Sequence, residues 1–203
     1  AANGQFLAYT PIGKQPLALA CDEAYGELFV TNYQDVVTVW TDYIHGVQSP
    51  VTTTGSWHES GGAVPNTPWG IVIDDYGVHV SDSATDTIQT YDTEGDLMYA
   101  SGFNAPYGLA EIPQTNGYQY VTERDADAVL RDDILTVLPF PNVHGPFGIR
   151  QDPANGYLYV VNYHTDAPGA VPVTRYDTLG NQIALPPNAF AGPHFPLDIE
   201  VVP

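Results

Sequence analysis

Residues 68–82 read Pro68-Trp-Gly-Ile-Val-Ile-Asp74, Asp75-Tyr-Gly77, Val78-His-Val-Ser-Asp82: two apolar alternations on either side of a Tyr-Gly turn. A period of two puts alternate side chains on one face, the mark of a half-buried strand. Glycine enters the φ > 0 conformation that a tight hairpin demands, so the two strands pair antiparallel. The opening phrase recurs as Pro16-Leu-Ala-Leu-Ala-Cys-Asp22, Pro106-Tyr-Gly-Leu-Ala-Glu111, Pro146-Phe-Gly-Ile-Arg-Gln-Asp152 and Pro196-Leu-Asp-Ile-Glu200. The five prolines stand 52, 38, 40 and 50 residues apart. The turn glycine returns as Gly26, Gly117 and Gly156, and a second strand leaves each turn and closes on Asn32, Asp82, Glu123 or Asn162.

Third strands end in Tyr91-Asp-Thr-Glu-Gly95 and Tyr176-Asp-Thr-Leu-Gly180; Trp40 stands in the equivalent strand of the first repeat, and the third repeat is degenerate there. A period near about 40 residues with variable insertions fits four-stranded blades. These phrases resemble the NHL-repeat family of β-propellers, whose blades read Pro-x-Gly-Ile-Ala, Gly-x-Leu-Tyr-Val-x-Asp and Tyr-Asp-x-x-Gly, over roughly residues 14 to 200. The expected fold is an all-β propeller of about five blades. Its blades would run approximately 14–65, 66–103, 104–143, 144–193, and 194–203 together with 1–13. Asn3-Gly-Gln-Phe-Leu-Ala-Tyr-Thr10 mirrors Asn155-Gly-Tyr-Leu-Tyr-Val-Val-Asn162, so the N-terminal strand is expected to close the ring against the C-terminal one. That last blade is short by one or two strands. It either stays stunted or offers an edge for β-augmentation, including a homo-oligomer or filament built through it.

Composition narrows the function classes. With 24 acidic against 5 basic residues, the formal charge of −19 repels phosphate backbones and anionic lipid headgroups, which excludes nucleic-acid binding. Acidity, few lysines and 14 tyrosines favour a secreted or cell-surface protein. The Ala1-Ala2-Asn3 start shows no leader and could equally be a mature end. No apolar run reaches the roughly 18 residues of a membrane span. Loose binding of divalent cations, structural calcium included, stays open, although no Asp-x-Asp-x-Asp-Gly loop is present. The lone Cys21 lies in the apolar run Leu17-Ala-Leu-Ala-Cys21 and is expected to be a buried, inert thiol.

Two residues before each repeat proline stand Lys14, Asn66, Asn104, His144 and His194, all polar, and the alignment predicts a solvated ring around the axis entrance. His164, in the loop after a second strand, is expected on the same face. His144, His164 and His194 together could bind Zn or Cu, since neutral imidazole suits both; the alternative is three separately solvated loop residues. The NHL resemblance implies a precedent in peptidylglycine-amidating lyases, which hold zinc with central-face histidines. For lactonase-type propellers it implies a carboxylate and amide set, to which Glu123, Asp82, Asn32 and Asn162 compare, although their repeated position argues equally for turn chemistry. His45 and His58 lie in insertions, and His79 is expected to be a hydrogen-bonded structural residue. Trp69, Tyr107 and Phe147 share one repeat position, which favours blade-to-blade packing over a ligand platform. No Gly-x-Ser-x-Gly elbow or phosphate loop occurs. The leading reading is a non-enzymatic module that binds a protein or small molecule at its central face. The rival is a metal-dependent lyase or hydrolase, or a Zn- or Cu-binding protein.

Overall fold

The computed structural model describes residues 15–22, 27–32, 35–40, 52–56, 65–112, 118–132, 136–138, 140–164, 171–186 and 199. Within them the chain is all-β, built as four antiparallel sheets, and no helix is long and apolar enough to cross a membrane. The first sheet is the meander β1 (Pro16–Asp22), β2 (Glu27–Asn32), β3 (Asp35–Trp40) and β4 (Thr52–Ser56). The second holds β5 (Pro68–Asp74), β6 (Gly77–Asp82), β7 (Thr87–Tyr91) and β8 (Leu97–Gly102). The third holds β9 (Pro106–Glu111), β10 (Gln119–Glu123), β11 (Ala128–Arg131) and β12 (Thr136–Leu138). In the fourth, β13 (Pro146–Gln151), β14 (Leu158–Asn162) and β15 (Val173–Tyr176) are followed by an isolated bridge from Tyr176 to Gln182. Thus Pro16, Pro68, Pro106 and Pro146 each open the first strand of a sheet, and each Asn, Asp or Glu noted above closes the second, while Pro196 and the N-terminal strand expected to close the ring lie outside the described residues.

Successive sheets bury their faces against one another. Phe29 and Val36 of the first meet Ile71, Val78, Val80 and Tyr91 of the second. Ile88 of the second meets Leu109 and Val121 of the third. Tyr120 and Val129 of the third meet Ile149, Leu158, Val160 and Tyr176 of the fourth. Burying a large apolar side chain stabilises by about 1.5–3 kcal/mol, so these seams fix the order of the sheets. The first strands β1, β5, β9 and β13 lie innermost and surround a narrow space of about 60 Å³ lined by Ala18, Gly70, Gly108 and Gly148.

Close approach of those inner strands explains the glycine at the third position of the repeat. A Cβ on Gly108 would stand 2.3 Å from the Phe147 carbonyl oxygen, and one on Gly70 would stand 2.4 Å from that of Tyr107. The fold corrects one expectation. Cys21 is exposed, because the two-residue alternation turns Ala18 and Ala20 toward the second sheet and leaves Leu19 and Cys21 on the other face.

Candidate functional site

The site is set by what happens at the start of each inner strand. Here the ladder between first and second strands slips, between Pro68 and Ile71, between Val121 and Glu123, and between Pro146 and Ile149. A bulge frees backbone groups within the strand, and the residues just before each strand lie outside the ladder, so both sets need other partners. Side chains at the ends of the second strands supply them. Asp82 accepts the N–H groups of Asn66 (2.7 Å), Thr67 (3.1 Å) and Ala84 (3.0 Å). Glu123 accepts that of Asn104 at 2.7 Å, and Asn162 accepts that of His144 at 3.0 Å. Three of the polar residues expected to ring the entrance are therefore held at one end of their sheets by the strand-closing residues beside them.

A hydroxyl one position earlier does a second job. Gly70 N–H donates to Ser81 Oγ (2.8 Å), while Ser81 donates to the carbonyl of Tyr107 in the next sheet (2.5 Å). Thr122 repeats this, accepting Gly108 N–H at 2.7 Å and donating to Phe147 C=O at 2.8 Å. Thr31 accepts Ala18 N–H at 3.0 Å and donates to Trp69 C=O at 2.9 Å. Further ties run between sheets at this end. Asp86 accepts Ala105 N–H at 2.9 Å, and Asp127 accepts Gly145 N–H at 2.5 Å. The reading from sequence missed both sets. The signal for the hydroxyl set was the Ser or Thr preceding the closing polar residue in three repeats.

On this frame the aromatic stripe converges. Trp69, Tyr107 and Phe147 come from three successive inner strands, with ring centroids 4.5–5.1 Å apart. Tyr163 joins at 5.5 Å from Phe147, and the Arg124 guanidinium lies 4.6 Å from the Tyr107 centroid. Tyr107 and Phe147 are buried, while Trp69 and Tyr163 are half-buried and leave part of each ring to solvent. The stripe does pack blade to blade, and its outer rings also form a surface.

His144 and His164 meet beside it. His164 N–H donates to the His144 carbonyl at 3.1 Å, and the Tyr163 and His164 rings lie 5.5 Å apart. The His164 imidazole covers Gly145, where a Cβ would stand 2.7 Å from its Nδ1. Gly145 has φ of 54°, so the backbone here favours glycine twice over. Lys14 and His194, like His45 and His58, lie outside the described residues, among which no three metal-ligating side chains converge. His79 is buried in the second sheet. Its Nδ1 is 2.9 Å from Thr90 Oγ1 and its Nε2 is 3.1 Å from Asp74 Oδ1.

Solved structures share this arrangement of sheets. A chain of the nidogen/laminin complex superposes with a TM-score of 0.60 at 15% identity, over 83% of this chain and 62% of that one. A streptogramin B lyase gives 0.59 at 15%, over 86% and 56%. The hydrazine synthase of Kuenenia stuttgartiensis gives 0.61 at 15%, over 87% and 52%. The fold is a β-propeller. The propeller chain spans a little over half the length of those relatives. No protein-family model and no curated protein matches its sequence. Its neighbours at this identity bear on architecture alone.

Proposed function

We propose that this propeller is a binding module that reads a protein or small molecule at the end of its inner strands carrying Trp69, Tyr163, Arg124, His144 and His164. The observation that carries the reading is the convergence of four aromatic rings and a guanidinium at one end. Arg124 is one of only five basic residues in a chain of net charge −19. Aromatic rings and arginine dominate binding hot spots because they offer large, stiff, partly polar contact area. The same face would be completed by Lys14 and His194. Export to the cell surface or medium accords with the acidic, lysine-poor composition. Assembly of copies through the shared fifth blade belongs to the same proposal.

The test is a screen of aromatic and carboxylate fragments, followed through amide and indole N–H shifts by NMR. Shifts should cluster at Trp69, Tyr107, Phe147 and Tyr163 and vanish in Tyr163→Ala. Shifts confined to other surfaces would overturn the reading.

The pairing of His144 with His164 favours a second reading, in which His194 joins them to hold Zn or Cu, with or without lyase or hydrolase turnover. The backbone bond from His164 to His144 brings the two residues together, and neutral imidazole suits either metal. Elemental analysis decides it. One equivalent of Zn or Cu, lost in a His144→Ala/His194→Ala variant, supports the metal site; no metal, with stability unchanged in chelator, overturns it.

A further inference from the structure

The outer rim of the second sheet carries an open edge, away from the aromatic face. β8 is the last strand of its meander and pairs with β7 alone, so the backbone groups on its outer side have no ladder partner among the described residues. At six residues it is the longest fourth strand among those described; β4 has five and β12 three. Leu97, Met98 and Tyr99 are 38%, 48% and 50% exposed, and Ala100 and Gly102 are exposed with them. A Cβ on Gly102 would meet nothing within 4 Å.

Such an edge is a template for another strand, and proteins usually blunt it with lysine, proline or a bulge. β8 contains no proline and no charged residue. Its one irregularity lies at its start, where Tyr91 pairs with Leu97 and Met98 is skipped; from Tyr99 to Gly102 the register with β7 is regular. Four consecutive residues are therefore ready to accept a ladder on their outer side.

Charge selects the occupant. Residues 66–103 hold seven acids and neither lysine nor arginine. Glu94 and Asp96 are exposed beside the start of β8, and exposed Asp86 lies at its end, where its carbonyl accepts the Phe103 N–H at 2.8 Å. A second copy pairing here would set this charge against itself, whereas a cationic strand gains from it. The two faces of β8 specify the rest. Tyr99 and Ser101 stand opposite Thr90 and Ile88, on the face that Ile88 turns to the third sheet. Leu97 and Ala100 stand opposite Tyr91 and Gln89, on the face that Tyr91 turns to the first. An added strand thus has exposed Tyr99 on one side, which favours a neighbouring cation, and apolar Leu97 and Ala100 on the other. We propose that β8 accepts, by strand addition, an extended segment of a partner protein in which Lys or Arg alternates with apolar residues.

The probe is a fluorescent octapeptide alternating lysine and valine, titrated into the full chain and followed by anisotropy. Its fully N-methylated form carries the same charge but no backbone N–H. Saturable binding is expected, at least about tenfold weaker for the methylated peptide, with amide exchange slowed across Tyr99–Gly102. Equal binding of the two peptides would reduce the effect to charge attraction, and either that or no binding would overturn the proposal. Ala100→Lys, an exposed position, guards the edge and should weaken binding at least about fivefold. Asp125→Asn makes the same change in net charge elsewhere and should bind as the parent does; equal weakening there would also overturn it. A dimer of the parent that Ala100→Lys disperses would assign the edge to a second copy instead. Trp69→Ala should retain peptide binding, and its loss would move the peptide to the aromatic face and overturn the assignment to β8.

Discussion

Asn162 Oδ1 accepts the backbone N–H of His144 at 3.0 Å, so the residue closing a second strand holds the residue that precedes its own inner strand. Glu123 does the same for Asn104, and Asp82 for Asn66. Three different side chains fill one role because each can present an acceptor oxygen to a donor of the segment leading into the inner strand, which the ladder does not reach. Asn162 also donates to the Val171 carbonyl (3.0 Å) and to Thr174 Oγ1 (3.3 Å), which ties the start of β15 to the same point. His144 is therefore positioned by a buried amide rather than by its own ring.

Asn162→Ala should cost about 2 kcal/mol, since the partly buried His144 N–H and Val171 carbonyl lose their partners together. Asn162→Asp keeps the acceptor and loses both donations, so it should fall between the two. Asp82→Ala should cost more, about 3 kcal/mol, because one carboxylate serves three N–H groups. Urea denaturation of the three variants checks the order. Equal midpoints for Asp82→Ala and the parent would show that water satisfies these donors.

Thr122→Val removes the hydroxyl that joins Gly108 N–H to the Phe147 carbonyl across two sheets. Valine has the same branching, and Val161 occupies the equivalent position in β14, so shape is preserved. The expected loss is about 1–3 kcal/mol, from two buried backbone groups left short of a partner. Thr122→Ser should recover most of it. A valine variant as stable as the parent would mean that the link between blades is packing alone.

Gly108→Ala places a methyl against Phe147 O at 2.3 Å and Ile149 N at 3.0 Å. Both are backbone atoms of a paired strand and cannot rotate aside, so about 1–3 kcal/mol of destabilisation follows. Gly102→Ala, at the end of β8, meets nothing within 4 Å. It should be neutral or stabilising by about 0.5 kcal/mol through the unfolded chain. Thermal melts of the pair separate close approach from glycine entropy.

The sheets were legible because the chain marks every inner strand with proline and every second strand with a polar stop. Alternation between those marks leaves little freedom in register. Cys21 was misread because an apolar run says nothing about which parity faces the neighbouring sheet; the small Ala18 and Ala20 took that face. Ser81 and Thr122 went unremarked because a hydroxyl before a strand end means little until the bulge beside it is known. Asp86 and Asp127 reach into the following sheet, a relation that no local spacing encodes. The aromatic convergence of Trp69, Tyr107 and Phe147 was visible as a recurring position, yet the partial exposure of Trp69 depends on how three strands lean together.

Tyr176 supplies a test of the core by pH. It is fully buried, stacked on Phe140 with centroids 4.2 Å apart, and donates its hydroxyl to the Pro141 carbonyl at 2.6 Å. Burial pushes its pKa up to about 12, whereas an unfolded tyrosine ionises near about 10. Burial, with the charge of Asp82, drives Tyr91 in the same direction. A folded pKa above the unfolded value means that the stabilisation is complete below about pH 10 and is lost as the pH climbs through about 12. The parent should therefore lose stability steeply across that window. Tyr176→Phe gives up the Pro141 hydrogen bond and should be about 1 kcal/mol less stable at neutral pH. Between pH 10 and 12, however, its urea midpoint should fall less than the parent's, because one of the two phenols that resist ionisation is gone. Parallel curves for the two proteins across this range would show that Tyr176 ionises without unfolding the blade.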